Sequence, residues 1–314
     1  MNNSKPEHIS YGGWKNCLRL SNGTIELIIT TDVGPRIIRC GTVGGPNFFK
    51  EHASRMGKTK ENAGTEWADF GGHRLWHAPE VASRTYALDY DPVDWEWKDG
   101  ELILRQKTEP ESGFAKEIRI RLLSDRVELM HRLINKNPWA IEVAPWCLSV
   151  MAQGGRVIVP QEPYIAHGER FDPARPLILW SFTRMDDVRY TWGDRFIQLK
   201  QDDSIPTKQK FGAGNRQGWA AYHLGKQLFV KTFDYFENCT YPDFGSNCEF
   251  FTMPGFLEVE TLGPLTKIEP EAWVDHRETW FIFDAVDLPL QEPELYTAME
   301  PYLATFKKNS TKKV

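Results

Sequence analysis

Three successive segments near the middle of the chain restrict what it can fold into. Lys116 to Leu122 alternates Ile118, Ile120 and Leu122 with Glu117, Arg119 and Arg121. Ser124-Asp125 turns the chain into Val127 to Ile134. Asn135 to Pro138 turns it again into Ile141 to Met151, a run interrupted by Pro145. A period of two puts alternate side chains on opposite faces of a strand. Strands joined by turns roughly every 8–12 residues build a sandwich or a barrel.

The same pattern runs through the rest of the chain. Asn22-Gly23 is a hairpin signal before the alternating stretch Thr24 to Thr30, and Gly34-Pro35 precedes a short strand at Arg36 to Cys40. Residues 44 to 66 read as a long loop over a site. Tyr86 to Tyr90, Asp94 to Trp97 and Leu102 to Lys107 are short extended segments. Leu177 to Phe182, Arg195 to Lys200, Gly218 to His223, Gln227 to Phe233, Cys248 to Thr252 and Phe256 to Thr261 follow. The longest strand is Trp273 to Phe283, with Val274, His276, Glu278, Trp280 and Ile282 on one face. Only Glu292 to Met299 has helical spacing, with Leu295 and Met299 one turn apart. Helices and strands do not alternate, which excludes a parallel α/β fold. The expectation is an all-β, large antiparallel β-sandwich with one short C-terminal helix, forming a single domain over residues 1–314 with a disordered tail at 307–314.

Composition limits the function. The formal net charge of −5 argues against a nucleic-acid surface, which needs a basic stripe. Lys307, Lys308, Lys312 and Lys313 form the only basic cluster, in the tail. No run approaches the ~18 apolar residues of a membrane helix, and the polar stretch Met1 to Ser10 is no signal peptide. The five cysteines, Cys17, Cys40, Cys147, Cys239 and Cys248, are scattered without CxxC or zinc spacing. A reduced, cytoplasmic protein is expected. No phosphate loop or GxSxG elbow is present: Gly212-Ala213-Gly214 lacks the Lys-Ser/Thr that a phosphate loop needs. The 12 tryptophans serve as core anchors or as platforms for sugar faces.

Gly71-Gly72-His73-Arg74-Leu75-Trp76-His77-Ala78-Pro79-Glu80 concentrates polar and aromatic groups in ten residues. On a strand, His73, Leu75 and His77 share one face, and Arg74 and Trp76 the other. Chelation of one metal by both histidines would need a bend, because they lie ~13 Å apart on an extended chain. A distortion at Gly71-Gly72 or Pro79 is expected to bring Arg74 or Glu80 round towards the histidines. A second stretch, Gly255 to Leu265, carries Glu258 and Glu260 two residues apart, with Phe256 at the same parity. Two carboxylates on one face raise the pKa of one of them, which suits proton transfer. A solvated acidic edge strand would show the same pattern.

Val33-Gly34-Pro35-Arg36-Ile37-Ile38, Gly72-His73-Arg74 and Leu257-Glu258-Val259-Glu260-Thr261 followed by Gly263-Pro264-Leu265 resemble, in that order, segments of galactose mutarotase-like proteins. The resemblance implies a β-supersandwich with a sugar cleft and no cofactor. It places a catalytic base at Glu260; Glu258, on the same face, is expected to support it on the substrate-binding side. The family's acid histidine lies on a mid-chain strand. The comparable segment here, Pro145-Trp146-Cys147-Leu148-Ser149, has none, so His73 or His77 is the expected acid. Arg74, Glu80 and Asp243 are expected to hold hydroxyls or an anionic group, with Trp76 or Trp146 as a stacking platform. The implied partner is a small-molecule sugar or oligosaccharide, and the implied activity that of an aldose 1-epimerase. A non-catalytic sugar-binding protein, or a lyase or hydrolase acting on a modified sugar, are the rival readings.

Overall fold

The computed structural model describes residues 5–310, the side chains of 307–310 excepted. The chain opens with β1 (Glu7–Tyr11), β2 (Trp14–Ser21), β3 (Ile25–Thr30) and β4 (Arg36–Thr42). A long loop leads to β5 (Gly72–Ala78) and one helical turn, α1 (Ala82–Thr85). Then come β6 (Asp94–Lys98), β7 (Glu101–Arg105), β8 (Phe114–Leu122), β9 (Val127–Asn135) and β10 (Ile141–Met151). The next strands are β11 (Arg156–Pro160), β12 (Leu177–Leu179), β13 (Tyr190–Trp192), β14 (Phe196–Lys200) and β15 (Gln209–Ala213). They are followed by β16 (Trp219–Leu224), β17 (Gln227–Phe233) and the turn α2 (Pro242–Gly245). The chain closes with β18 (Cys248–Met253), β19 (Phe256–Leu262), β20 (Thr266–Ile268), β21 (Trp273–Phe283) and α3 (Glu294–Ser310).

These strands form two antiparallel sheets, as the alternation predicts. The first runs β1-β2-β3-β4-β5-β10-β19-β18-β15-β12, with β20 added to β10. The second runs β13-β14-β11-β16-β17-β21-β9-β8-β7-β6. Each sheet therefore takes strands from both halves of the chain. Leu27, Ile37, Leu75 and Val259 of the first sheet meet Ile118, Leu129, Tyr222 and Phe229 of the second in one buried core. The first sheet turns its other face to a cavity. The second covers part of its outer face with α3.

Four expectations are corrected. Tyr86 to Tyr90 is no strand: Tyr90 packs on Phe70, and its hydroxyl donates to Glu66 O. The strand expected at Leu177 to Phe182 ends at Leu179, where a turn begins that Thr183 N closes onto Trp180 O at 2.9 Å. Pro145 does not interrupt β10, which pairs continuously with β5 from Ala144 to Val150. The helix runs well past Met299. Leu295, Met299, Leu303 and Phe306 form one apolar stripe against Trp219 and Phe281. Its last turn takes up residues 307–310 of the expected tail, and 311–314 lie outside the described residues. The strands β1, β2, β11, β13, β15 and β20 were not read from sequence.

Candidate active site

From His73 to His77 strand β5 alternates in continuous pairing with β10, so it divides its side chains between two environments. Arg74 and Trp76 face outwards from the first sheet. The register carries the outer row across β10 and β19: Arg74 lies opposite Leu148, and Leu148 opposite Glu260. Glu260 in turn lies opposite Glu249 on β18, and Glu258 opposite Phe251. The 44–71 loop adds Trp67 and Asp69, and the segment after β12 adds Trp180 and Phe182. Together they enclose a cavity of about 360 Å³ that Lys210 of β15 also lines.

The charges in this cavity are arranged in two clusters. Arg74 donates through Nη1 to Asp69 Oδ1 and through Nη2 to Glu258 Oε1, each at 3.2 Å. Its guanidinium lies 4.4 Å from the Trp76 ring centroid and 5.5 Å from that of Trp67. In the second cluster, Lys210 Nζ sits 2.7 Å from Glu249 Oε2 and 3.2 Å from Glu260 Oε2. Glu260 Oε2 also accepts from Trp146 Nε1 at 2.8 Å. Glu260 Oε1 has no partner among the described residues. The ammonium of Lys210 lies over Trp146 and Trp180, 5.1 and 4.6 Å from their ring centroids.

The two carboxylates of β19 are held differently. Burial raises the pKa of Glu258, Arg74 partly offsets it, and the nearby charges of Glu260 and Asp69 raise it further, to about 8. Its side chain keeps 12% exposure towards the cavity. Burial also pushes Glu249 well above the carboxylate range, with Lys210 opposing and Glu260 reinforcing the shift. Burial alone would lower the pKa of Lys210, but Glu260 and Glu249 outweigh it and raise it. For Asp69 burial acts upwards, yet Arg74 and the hydrogen bond from His52 hold the carboxyl below its usual range. The cavity thus presents one carboxyl that is protonated near neutrality beside one fixed by an ammonium and an indole N–H.

His73 and His77 are elsewhere, which corrects the expected acid. Both are fully buried and point between the sheets. His131 Nδ1 lies 3.2 Å from His276 O, a position that only an N–H fills. The bond pattern therefore assigns His131 Nε2 as the acceptor of His73 Nε2–H at 2.7 Å. His73 Nδ1 is 2.9 Å from Ser149 Oγ. His77 packs 5.0 Å from Phe114, ring to ring, and neither of its nitrogens has a partner among the described residues. Burial, then Lys116 and Arg84, lower its pKa to about 3. The backbone does depart from extended geometry at both expected places, with φ of 80° at Gly71 and 72° at Gly72 and a cis Ala78–Pro79 bond, yet neither Arg74 nor Glu80 approaches the histidines. Glu80 stands at the rim, where it accepts from Tyr86. Asp243, in α2, does not line the cavity and acts on it only as a negative charge near Glu249.

His73, His131 and Glu278 bring three possible metal-ligand atoms within 4.8 Å of one another, and Cys147, His276 and Glu278 do the same. The surroundings do not suit a cation. Lys231 Nζ is 3.1 Å from Glu278 Oε1, and both side chains are fully buried. A divalent ion would share a closed interior with that ammonium.

Sequence reasoning found the outer row of β5 and β19 but missed Lys210, Glu249, Trp67, Asp69 and Trp180. A signal existed for one of these. Lys208 and Lys210 are two apart, so they share a face if 208–213 is extended, and both line the cavity.

Comparison with known proteins supplies the fold. No family model matches the chain, and no curated protein matches it in sequence. Solved structures do match in shape. A candidate aldose 1-epimerase from Klebsiella pneumoniae superposes with a TM-score of 0.58 at 12% identity, covering 95% of this chain and 86% of that one. A candidate aldose 1-epimerase from Escherichia coli K12 gives 0.56 at 10% identity, over 86% and 99%. A galactose mutarotase-like protein from Lactobacillus casei gives 0.55 at 9% identity, over 85% and 100%. The chain has the galactose mutarotase-like fold. Among the described residues no helix is long and apolar enough to cross a membrane.

Proposed function

We propose that the cavity on the first sheet binds a monosaccharide-sized carbohydrate and interconverts its anomers. One observation carries this reading: Glu258, whose pKa is raised to about 8, and Glu260, held by Lys210 and Trp146, share one face of β19 in a tryptophan-lined cavity. The fold neighbours described as aldose 1-epimerases supply the chemical class. Glu260 is the base and Glu258 the acid, in place of a histidine.

Glu260 Oε1, which is unpartnered, takes the proton of the anomeric hydroxyl. Glu258 donates its proton to the ring oxygen, and the bond from that oxygen to the anomeric carbon breaks. The aldehyde rotates about the bond to the next carbon. Closure on the other face returns the first proton from Glu260 and the second to Glu258, so nothing is consumed. Lys210 and Trp146 hold Glu260 while its charge changes, and Arg74 steadies Glu258 once it ionises. Each proton-transfer group contributes ~10²–10⁴-fold. Trp180 and Phe182, on the more open wall, offer the ring surface for a sugar face.

A non-catalytic sugar-binding protein is the second reading. The absence of any imidazole from the cavity lining favours it. Exchange spectroscopy on equilibrated aldoses, with and without the protein, separates the two. Exchange above the spontaneous rate supports the epimerase. Saturation transfer to a sugar without faster exchange supports the binding protein.

A further inference from the structure

The outer face of the second sheet carries a row of basic side chains. On β11, Arg156 lies directly opposite Lys200 of β14 on one side and His223 of β16 on the other. Their neighbours in sequence, Val157, Leu199 and Tyr222, point into the core between the sheets. Arg156, Lys200 and His223 therefore stand side by side on the opposite face. Like charges directly across a ladder destabilise a sheet. Among the described residues Arg156 has no carboxylate partner; its Nη2 instead caps Leu288 O and Pro289 O, both at 2.7 Å.

The row opens into a cavity of about 430 Å³, lined also by Arg189 and Gln198 and by no Asp or Glu. Arg189 is buried. It binds Asp187 through Nε and Nη2, both at 2.9 Å, and its Nη1 has no partner among the described residues. Lys200 is exposed, 3.4 Å from Asp202, and can swing inwards. His223 Nε2 is 3.3 Å from Val286 O and so carries the hydrogen there, which leaves Nδ1 free to take a proton. Burial lowers its pKa, with Arg156 lowering it further and Val286 O and Asp287 opposing. In a chain with a net charge of −5, a cavity with this lining is the reverse of the average surface.

We propose that Arg156, Lys200, His223 and Arg189 form a phosphate-binding site on the face of the sandwich opposite the sugar cavity. The chemistry favours phosphate over a carboxylate. Three residues from three strands converge with a fourth from the loop before β13, and a phosphate offers three or more strong acceptor oxygens where a carboxylate offers two. The site is independent of the function proposed for the first sheet.

Titration of the full chain with inorganic phosphate, followed by calorimetry and by the imidazole NMR signal of His223, tests this. A parallel titration with glycerol phosphate separates free phosphate from the phosphate group of a metabolite as the natural ligand. One saturable site is expected. Loss of the ammonium in Lys200→Met, or of the imidazole that takes up a proton beside the phosphate in His223→Gln, is expected to weaken it about tenfold each. Lys208→Met, at the other cavity, is the control and is expected to leave the phosphate affinity unchanged. Arg156→Met is not needed, since removing its caps from Leu288 and Pro289 perturbs the loop. No saturation by about 10 mM phosphate overturns the proposal. So does equal affinity in all variants, or a loss confined to Lys208→Met.

Discussion

Glu258 and Glu278 are the same residue type, buried on opposite sides of the first sheet, and they are driven in opposite directions. Glu258 looks outwards into an open cavity. Its nearest cation, Arg74, is shared with Asp69, and Glu260 stands on the same face. Its pKa rises to about 8. Glu278 lies between the sheets, where it accepts from Lys231, Thr261 and Trp280. Burial acts upwards there too, but Lys231 and the surrounding imidazoles outweigh it and hold the carboxyl well below the usual range. Burial alone therefore does not decide the state of a carboxylate. The ratio of cations to anions within reach does. A carboxyl poised near neutral pH is useful for chemistry. One locked as an anion is useful for holding sheets together, and Lys231 also donates to Val259 O, directly beneath the two glutamates of β19.

The contrast can be broken most severely from the inside. Lys231→Met leaves Glu278 as an uncompensated buried anion and is expected to cost ~3–5 kcal/mol of stability. Lys231→Met combined with Glu278→Gln should recover most of it. Urea denaturation of both variants reads this, and a double variant no more stable than the single one would show that the pair is not the seat of the effect.

The outward side is expected to fail in rate rather than in folding. Glu260→Gln should unfold at nearly the same urea concentration as the natural chain but lower anomer exchange by ~10² or more, about 2.7 kcal/mol in the barrier. Exchange at the same rate in both would mean that the base is another residue. Glu258→Gln should lower the rate by ~10² as well. In the natural chain the rate should fall as pH rises through about 8, where the acid loses its proton. A rate that rises through that range is incompatible with Glu258 as the acid.

Stability against pH sharpens the comparison. The Glu258 pKa is raised from an ordinary 4.5 to about 8, so the folded state holds a proton that the unfolded state has lost. Its contribution erodes stability as pH climbs between those values, and Glu258→Gln should flatten that slope. Glu278 is depressed below 4.5, so its contribution is present above that pH and is lost as pH falls below it. Melting temperatures from pH 2 to pH 9 measure both. The smallest effect is expected for His77→Leu. It replaces an unpartnered imidazole in an apolar setting, and the exchange rate should stay within about twofold. A loss approaching that of Glu260→Gln would restore a catalytic role to this residue.

Much of this molecule was legible in the sequence, for a local reason. Alternation in Lys116–Leu122 and Val127–Ile134 defines a strand and its two faces within a few residues, whatever lies elsewhere. The same parity put Arg74 with Trp76, and Glu258 with Glu260. What parity does not reveal is which face meets the other sheet. Histidines and an arginine are both polar, and β5 buries both of its faces. Only the packing of β8, β9 and β21 behind β5 sends His73 and His77 inwards, and only that packing removes them from the chemistry.

Lys210 and Glu249 illustrate the other limit. Glu249 and Glu260 are paired across β18 and β19, and Lys210 bridges them from β15. Its distance along the chain from Trp146 carries no trace of their meeting. Lys200, Arg156 and His223 are likewise scattered in sequence and adjacent only through strand order. By itself the sequence determined the strands, their faces and the residue types available for proton transfer, because these depend on neighbours two residues away. The tertiary structure decided which side chains share a cavity and in what state of charge, because pairing order and burial are set by contacts between distant segments.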